Sequence, residues 1–357
     1  MLTTAAALDA VMEAMPTFEP ESVVLEAAAG RVLRQNVVAE RDQPPFDRVM
    51  MDGIAIAFAD FARGLRKFPL QATQAAGDVR LTLEPGNAIE IMTGASLPEG
   101  ADCIVPVERI TTVNGTAIIE SDYEATERQF IHAQGSDHAQ GAELLTPGKR
   151  ISALDIAVIA SCGLTQVEVS RLPKVSVIST GNELVPAGQP IEAHQIRLSN
   201  GPAVIALLEQ NGYTGCAHDH LADEPGSLEV RIGEHLDNSD VLILSGGVSM
   251  GKADYIPEVL KNLGVEVVFH KISQRPGRPM WFGVSAEGKT VFALPGNPVS
   301  TLVCCRQYVI PALAKSSGLA PASPQFAALT QDVSFEPALT CFLPVRILSN
   351  VGGGLLA

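Results

Sequence analysis

A turn rich in glycine and serine lies near the middle of the chain and contains residue types that bind anions. Residues 241–244 are wholly apolar, which predicts a strand buried on both faces, and residues 245–249 follow with two serines and two glycines. Such a turn can aim several backbone N–H groups and hydroxyls at one anion. Asp254 comes at the predicted start of a helix, where its carboxylate could cap the helix or hold a cation. Taken alone, the turn fits phosphate binding and an ordinary capped turn equally well.

Three more turns place small, hydroxylic or acidic residues directly after apolar runs. They occupy residues 179–184, 221–225 and 294–300, in a region where strand patterns alternate with helix patterns after Pro173. That alternation predicts a parallel sheet covered by helices on both faces. Ligands of such sheets bind beyond the carboxyl ends of the strands, so a site is expected at these turns.

The elements of this sheet can be placed along the sequence. We expect strands at 175–179, 212–217, 241–244 and 265–269, and helices at 202–209, 226–236 and 255–263. Upstream, apolar residues spaced three and four apart predict an amphipathic first helix that is capped near Thr3 and ends before Pro16. A further helix is expected at 153–161, ending at Gly163.

Residues from about 53 to 137 alternate short apolar and polar stretches with glycine and proline, which predicts a separate β-rich domain. Asp47 and Asp52 precede it near a turn stiffened by two prolines, and Thr93 follows a predicted strand within it. Turn-forming aspartates are common, so we interpret Asp52 as structural and leave Asp47 open. A hydroxyl that caps the turn explains Thr93 as well as one that binds a ligand.

The end of the chain predicts another small β domain. A strand is expected at 342–347, and the three glycines at 352–354 predict a hairpin turn whose second strand has barely begun. We therefore expect the native chain to continue beyond Ala357.

Composition narrows the class of protein. The 357 residues include 46% hydrophobic and 18% charged residues, which is ordinary for a soluble globular chain with several cores. A net charge of −15 argues against general binding to nucleic acid or to an anionic membrane. The absence of a signal peptide pattern and of a long apolar run favours a cytoplasmic protein. Six cysteines without CxxC spacing favour buried reduced thiols over a zinc site.

Seven motifs, in one order along nearly the whole chain, resemble the molybdopterin molybdenumtransferase family, which includes MoeA and the E-domain of gephyrin. They are PPFDRVMMDGIA (44–55), IMTGASLPEGAD (91–102), the turn at 135–137, STGNEL (179–184), SGGVSMGKADY (245–255), RPGRP (275–279) and LPGNPVS (294–300). The resemblance implies a multidomain α/β plus β fold. Its domain I is residues 1–46 and 138–172, its β-rich domain II residues 47–137, its molybdopterin-binding α/β/α domain III residues 173–317, and its small, incomplete domain IV residues 318–357.

The same resemblance implies a reaction and its participants. Members insert molybdate into adenylated molybdopterin with Mg²⁺ and release AMP, and they are homodimers that contact the molybdopterin adenylyltransferase of the pathway. It implies catalytic roles for Asp47, Thr93, Asp137, Glu183 and Asp223, and metal binding by Asp254 and Glu183. Substrate binding falls on Ser245, Gly246, Gly247, Ser249, Arg275, Arg278, Pro295, Gly296, Asn297 and Pro298. These positions suggest a cleft between domains that the dimer completes.

The chain departs from the family pattern at several positions. In the motif that contains Asp47, Arg48, Val49 and Met50 replace common residues, and Ile54 replaces a tyrosine. Leu198 stands where an acidic residue is frequent. Arg275 and Arg278 replace the lysines of a KPGKP loop, which keeps the positive charge but changes a point charge into a forked donor.

Two other classes of protein compete with the enzyme. A non-catalytic pterin-binding or scaffold protein of the same fold has no reason to keep all the acidic positions, and here they are filled. A generic dinucleotide-binding protein is excluded because no GxGxxG follows the first strand of the α/β segment. Residues 218–220, His-Asp-His, could suggest a metal site. Two histidines in a His-x-His pattern at the end of a predicted strand are, however, more often solvated or structural.

Overall fold

The computed structural model describes residues 1–248, 255–349 and 355–356. Its internal contacts divide the chain into two compact units. The α/β unit consists of Met1–Gln35, Thr146–Ile156 and Thr165–Ala357, and the β unit of Asn36–Leu145 and Ala157–Leu164. The finer division into four domains stays a prediction.

The predicted helices are present. Thr3 caps the first helix because its hydroxyl oxygen accepts a hydrogen bond from the N–H of Ala6 at 3.2 Å. A π-helical turn at Cys305–Val309 joins the last two helices and buries both adjacent cysteines. The described α-helices are α1 (Thr4–Ala14), α2 (Phe58–Ala62), α3 (Ala153–Ser161), α4 (Asn200–Gln210), α5 (Pro225–Asn238), α6 (Ile256–Asn262), α7 (Pro298–Cys304) and α8 (Ile310–Ser316).

The strands are short and numerous. Those in the first half of the chain are β1 (Pro20–Val24), β2 (Val37–Val38), β3 (Arg48–Val49), β4 (Gly53–Ile56), β5 (Lys67–Gln74), β6 (Ala88–Ile91), β7 (Cys103–Pro106), β8 (Ile110–Val113), β9 (Thr116–Ile119), β10 (Ile131–His132) and β11 (Glu143–Leu145). The second half contains β12 (Gln166–Ser170), β13 (Val175–Thr180), β14 (Leu184–Val185), β15 (Ile196–Arg197), β16 (Ala217–Leu221), β17 (Val241–Ser245), β18 (Val265–His270), β19 (Gln274–Arg275), β20 (Trp281–Ser285), β21 (Thr290–Leu294), β22 (Thr340–Cys341), β23 (Leu348–Ser349) and β24 (Leu355–Leu356).

A sheet in the order β16-β13-β17-β21-β20-β18 forms the centre of the α/β unit. Its first four strands are parallel, whereas β20 and β18 run antiparallel to their neighbours, so the predicted all-parallel sheet is in fact mixed. The reason is the connection between β20 and β21, which is a tight turn and too short for the crossover that parallel strands need. Every residue of β13, β17 and β21 is buried.

Helices cover both faces of this sheet, as the alternating pattern predicted. One buried cluster combines residues of α1, α4 and α8 with alternate residues of the strands, and a second cluster combines α5 and α6 with the others. Val177 and Ile243 belong to the first cluster, and Ile178 and Leu244 to the second. Burying one such side chain contributes roughly 1.5–3 kcal/mol, so the central strands anchor the loops at their carboxyl ends.

The predicted strand at 212–217 is wrong. Gly212 and Gly215 have φ of +79° and +75°, and the strand of this region, β16, begins only at Ala217. Because β16 is an edge strand, it accommodates the polar trio that begins at His218. The Nε2 of His218 lies 3.2 Å from Ser179 Oγ, and His220 Nε2 lies 3.0 Å from the carbonyl oxygen of Gly181, so both rings have protein partners.

The β unit is built on a second sheet, in the order β7-β4-β6-β5-β9-β8. All its pairs are antiparallel except the parallel pair of β5 and β6. Strand β4 is fully buried, and apolar clusters that contain Ala55 and Ile54 lie on its two faces. The β-rich character predicted for residues 53–137 is thus confirmed, and β6 and β9 are two of its short strands.

The predicted strand at 342–347 is wrong. The described strands near it are β22 and β23, and β22 pairs in parallel with β19. This pairing places Arg275 opposite Cys341. The strand therefore forms where backbone hydrogen bonds to β19 are available, and not in the more apolar run that follows. Strand β23 pairs antiparallel with β24, and the glycines predicted to turn between them lie outside the described residues.

The pair formed by Asp240 and Arg171 gives a test of pH-dependent stability. Arg171 donates two hydrogen bonds to the Asp240 carboxylate, at 2.7 and 3.0 Å, and the N–H of Lys174 donates a third at 2.8 Å. Burial opposes ionisation of this carboxyl, but these hydrogen bonds outweigh burial and lower the pKa of Asp240. A carboxyl with a lowered pKa stabilises the fold above its unfolded pKa of about 3.9 and loses that effect as the pH falls through the folded pKa.

We therefore expect Asp240→Asn to reduce the free energy of unfolding by roughly 1–3 kcal/mol at neutral pH. The difference from wild type should shrink as the pH falls below about 4. Urea unfolding across this pH range measures it. Glu287→Gln is the control, because Glu287 is 74% exposed and its pair with Lys289 should contribute little. If the difference in free energy of unfolding between Asp240→Asn and wild type does not change with pH, the ionised Asp240 carboxylate is not the source of the stabilisation.

Candidate functional site

The loops that follow β13, β17 and β21 surround a cavity in the α/β unit. Its volume is about 390 Å³, and an adjoining cavity of about 80 Å³ shares part of its lining. The three strands are parallel neighbours, so their carboxyl ends reach the same edge of the sheet, where α/β proteins bind ligands.

Most of the residues predicted for substrate binding lie here. The larger cavity is lined by Glu183, Asp223, Gly246, Gly247, Pro295, Gly296 and Asn297, and the smaller cavity by Glu183, Ser245, Gly246, Gly296 and Pro298. The structure thus brings residues from four distant motifs to one edge of the sheet. Ser249 and Asp254, the other two predicted residues of the glycine-rich turn, lie outside the described residues.

The glycines of the turn after β17 are required by close contacts. Gly246 and Gly247 have φ of +104° and +67°, which L side chains rarely adopt. A Cβ at Gly246 would lie 2.6 Å from the carbonyl oxygen of Thr180, and a Cβ at Gly247 would lie 2.6 Å from the side chain of Ile256. Glycine at both positions lets the backbone of this turn approach a bound group closely, and backbone N–H groups in such turns can bind anions.

Asn200, the first residue of α4, ties two of these loops together, and sequence reasoning missed it. Its Nδ2 donates to Ser245 Oγ at 2.9 Å and to the carbonyl oxygen of Gly296 at 2.8 Å. It therefore fixes the turn after β17 relative to the turn after β21. The only signal in the sequence was an asparagine at a helix start, which usually indicates a cap.

Glu183 presents its carboxylate to both cavities because Gly181 leaves space for it. A Cβ at Gly181 would lie 2.6 Å from a carboxylate oxygen of Glu183. The N–H of Asp223, in the next loop of the cavity, donates to Asn182 Oδ1 at 3.1 Å. The motif at 179–184 thus positions two acidic residues, one directly and one through Asn182.

The loop with Arg275 and Arg278 borders the larger cavity through Pro279 rather than through the arginines. Both arginines are exposed, and neither guanidinium has a hydrogen bond or ion pair to the rest of the described chain. A Cβ at Gly277 would lie 2.4 Å from Cys304 Sγ, so the loop is packed tightly against α7. The loop is therefore packed in place, while neither positive charge is paired with another described residue.

The remaining predicted residues lie in the β unit, around β3. The carboxylate of Asp47 accepts hydrogen bonds from Arg128 Nη2 at 2.8 Å and from the N–H of Gln134 at 2.9 Å. Burial opposes its ionisation, but these donors outweigh burial and hold the pKa of Asp47 below its usual value. Asp47 is therefore a carboxylate at neutral pH.

Thr93 is held by Asp52, which supports the structural interpretation of that aspartate. Asp52 Oδ1 accepts from the N–H of Thr93 at 2.6 Å and from its hydroxyl at 2.7 Å. These two hydrogen bonds lower the pKa of Asp52. Because the Thr93 hydroxyl donates its hydrogen bond to Asp52, its oxygen can only accept a hydrogen bond from a ligand.

Asp137 has a histidine partner. His132 Nε2 lies 3.1 Å from Asp137 Oδ1, and Arg48 Nη2 lies 3.0 Å from His132 Nδ1. Sequence reasoning noted Arg48 only as a departure from a family motif, and it missed His132. No local pattern could have linked the two, because they meet only through the pairing of β3 with β10.

Comparisons with known proteins identify the family of this chain. A family model of the MoeA N-terminal region, domains I and II, matches residues 2–163, and a model of a probable molybdopterin-binding domain matches residues 176–315. A molybdopterin molybdenumtransferase from Synechocystis is 36% identical over 349 residues, which are 97% of this chain and 87% of that protein. The chain belongs to the MoeA family.

Further MoeA proteins match most of the chain in sequence and in structure. A molybdopterin molybdenumtransferase from Staphylococcus epidermidis is 35% identical, over 89% of this chain and 76% of that protein. A crystal structure of a MoeA protein from Pyrococcus horikoshii superposes with a TM-score of 0.79 at 25% identity, covering 100% of this chain and 89% of that one. A second structure from this source has a TM-score of 0.76 at 32% identity, with coverages of 89% and 80%. The resemblance and the multidomain α/β plus β fold are thus confirmed.

Three of the departures from the MoeA pattern are buried side chains. Val49 and Ile54 are 1% and 0% exposed in β3 and β4, so they fill the core of the β unit. Leu198 is 8% exposed and lines the smaller cavity, where an acidic residue is frequent in the family. Leu198 therefore contributes an apolar side chain to the lining of that cavity, whereas Val49 and Ile54 are enclosed in the core of the β unit.

The donor chemistry of the larger cavity fits Mg²⁺, the ion that the MoeA resemblance implies. Mg²⁺ binds oxygen ligands, and Glu183 and Asp223 both line this cavity. Within residues 1–248, 255–349 and 355–356, no group of three or more His, Cys, Asp or Glu side chains is arranged to hold a metal. Asp254, which was predicted together with Glu183 to bind this ion, lies outside these described residues.

Proposed function

We propose that this chain is a molybdopterin molybdenumtransferase, which uses Mg²⁺ to insert molybdate into adenylated molybdopterin and releases AMP in molybdenum cofactor biosynthesis. The observation that carries the proposal is the cavity at the carboxyl edge of the sheet, where a glycine turn and two acidic residues converge in a chain of this family. Anion-binding backbone beside carboxylates suits a substrate with a pyrophosphate linkage and a divalent cation.

In the α/β unit, one set of residues binds the anionic group of the substrate and another binds the cation. Gly246 and Gly247 bring the backbone close to an anionic group, and Asn200 keeps Ser245 and the 295–298 turn at a fixed separation. Glu183 and Asp223 would hold Mg²⁺. When bound, this ion neutralises the pyrophosphate and polarises the bond to be cleaved. In the β unit, we propose that Asp47, Thr93 and Asp137 also contact the substrate.

A scaffold that binds the pterin without turnover is the alternative function. Retention of the acidic residues at every predicted position favours the enzyme, because a scaffold has no use for a Mg²⁺ site. The decisive experiment incubates purified protein with adenylated molybdopterin, molybdate and Mg²⁺ and measures AMP. AMP release that requires Mg²⁺ is expected. Pterin binding without AMP release would favour the scaffold.

We also propose a homodimer that receives its substrate from the molybdopterin adenylyltransferase and acts in the cytoplasm. The membership of the MoeA family supports this proposal. Among the described residues, no helix has the length and apolarity needed to cross a bilayer. Light scattering that shows a monomer at micromolar concentration would contradict the dimer.

Arg278→Met is expected to raise the molybdate concentration needed for half-maximal AMP release by about tenfold. A hydrogen bond to a charged group contributes roughly 1.5–3 kcal/mol, and 1.4 kcal/mol corresponds to about a factor of ten. Molybdate is a dianion that approaches a protein with a net charge of −15, so a local positive charge must attract it. Titration of molybdate at fixed pterin measures the effect.

Arg63→Met is the matched control for this prediction. It removes the same charge from an exposed arginine of the β unit whose partner is Asp60, three residues away. If both variants raise the half-maximal concentration equally, net charge is the cause. If neither variant does, the oxyanion is bound elsewhere.

A further inference from the structure

We propose that His132 and Arg48 position Asp137: Arg48 fixes the tautomer of His132, and His132 then orients the Asp137 carboxylate toward the substrate. The inference rests on the proposed function, in which Asp137 contacts the substrate. It assigns roles to His132, which lies in none of the sequence motifs, and to Arg48, which the sequence showed only as a departure from a family motif.

The backbone places these three residues together. Strands β3 and β10 pair antiparallel, and Arg48 and His132 are direct cross-strand partners. Neighbouring backbone hydrogen bonds fix the turn that carries Asp137, because its N–H donates to the carbonyl oxygen of Gln43 at 2.9 Å. Gly135 within this turn has a φ of +70°. The side-chain contacts therefore rest on a backbone that is already defined.

The chemistry of arginine decides which nitrogen of His132 carries the proton. A guanidinium has only donors, so His132 Nδ1, 3.0 Å from Arg48 Nη2, must be the acceptor. A neutral imidazole has one N–H, and it must then lie on Nε2. That N–H points at Asp137 Oδ1, 3.1 Å away, and donates to it.

This contact leaves one oxygen of Asp137 for a ligand. His132 holds Oδ1, and Oδ2 has no hydrogen bond to any other described residue. The carboxylate of Asp47 differs, because Arg128 occupies one of its oxygens and the N–H of Gln134 the other. Of the two aspartates, Asp137 is therefore the one with a carboxylate oxygen that accepts no hydrogen bond from another described residue. The carboxylate of Asp47 instead binds Arg128.

Two substitutions at one position test this role. The amide nitrogen of glutamine reaches the place of Nε2 and can still donate to Asp137, whereas that of asparagine reaches only the place of Nδ1. We expect His132→Asn to lower kcat for AMP release by about tenfold or more, since loss of an outer partner of a ligating group typically costs 10- to 100-fold. His132→Gln should stay near wild type. Arg48→Met should lower kcat less than His132→Asn.

A spectroscopic measurement tests the tautomer without any reliance on activity. In protein labelled with ¹⁵N-histidine, long-range ¹H–¹⁵N correlation at a pH where His132 is neutral should show the proton on Nε2. Thermal unfolding of each variant shows that it is folded. A proton on Nδ1, or equal kcat for His132→Asn and His132→Gln in folded protein, would overturn the inference. If the wild type releases no AMP, the proposed function fails, and the tautomer still tests the geometry.

Discussion

Glu183→Gln should lower the rate of Mg²⁺-dependent AMP release by about 100-fold or more, the size of effect seen when a group that stabilises charge in a transition state is removed. Glu183 lines both cavities at the carboxyl edge of the sheet, and its carboxylate lies where a side chain at position 181 would otherwise be. Glutamine has the same shape, so packing over Gly181 is preserved while the charge is lost.

The Mg²⁺ dependence separates a cation-binding role from other roles of Glu183. If this carboxylate holds the ion, the variant should need more Mg²⁺ for half-maximal rate, and its thermal unfolding without Mg²⁺ should match that of wild type. Glu192→Gln is the control in the same unit, because Glu192 is 75% exposed and its ion-pair partner among the described residues is His194. An unchanged rate in Glu183→Gln would remove this residue from the mechanism.

Gly53→Ala should prevent the β unit from folding or destabilise it by about 3 kcal/mol or more, beyond the usual range for a point substitution. A Cβ at Gly53 would lie 2.0 Å from the carbonyl oxygen of Val105 and 2.9 Å from the nitrogen of Val107. Val105 lies in β7, which pairs with β4, and the N–H of Val107 donates to the carbonyl oxygen of Asp52 at 2.9 Å, so neither backbone atom can move aside without breaking these hydrogen bonds.

Gly115→Ala is the matched control for this substitution. Gly115 also has a positive φ, +73°, but a Cβ there would meet no atom within 4 Å. Its cost should be only the roughly 1–2 kcal/mol of a left-handed L residue. Soluble yield and urea unfolding of the two variants measure the difference. Equal stability of Gly53→Ala and Gly115→Ala would show that β4 and β7 adjust to the side chain.

The sequence determined the local elements and the family. Periodic apolar residues were enough to place α1 and α3 to α6, because a helix that packs on one face repeats every three to four residues. The buried runs that became β13 and β17 were equally clear. Motif order along the chain was enough to identify the MoeA family, since seven short motifs in one order are far more specific than any one of them.

Only the tertiary structure decided which of these residues meet. The pairing of β20 with β21 made the sheet mixed, and the late start of β16 gave the polar trio at 218–220 an edge position that its composition did not predict. Asn200 reaches Ser245 and Gly296, and Arg48 reaches His132, over separations of 45 to 96 residues. Local patterns record which face of an element is apolar, whereas strand order and side-chain partners depend on packing between distant segments. A sequence read one window at a time therefore finds the carboxylates but not the groups that orient them.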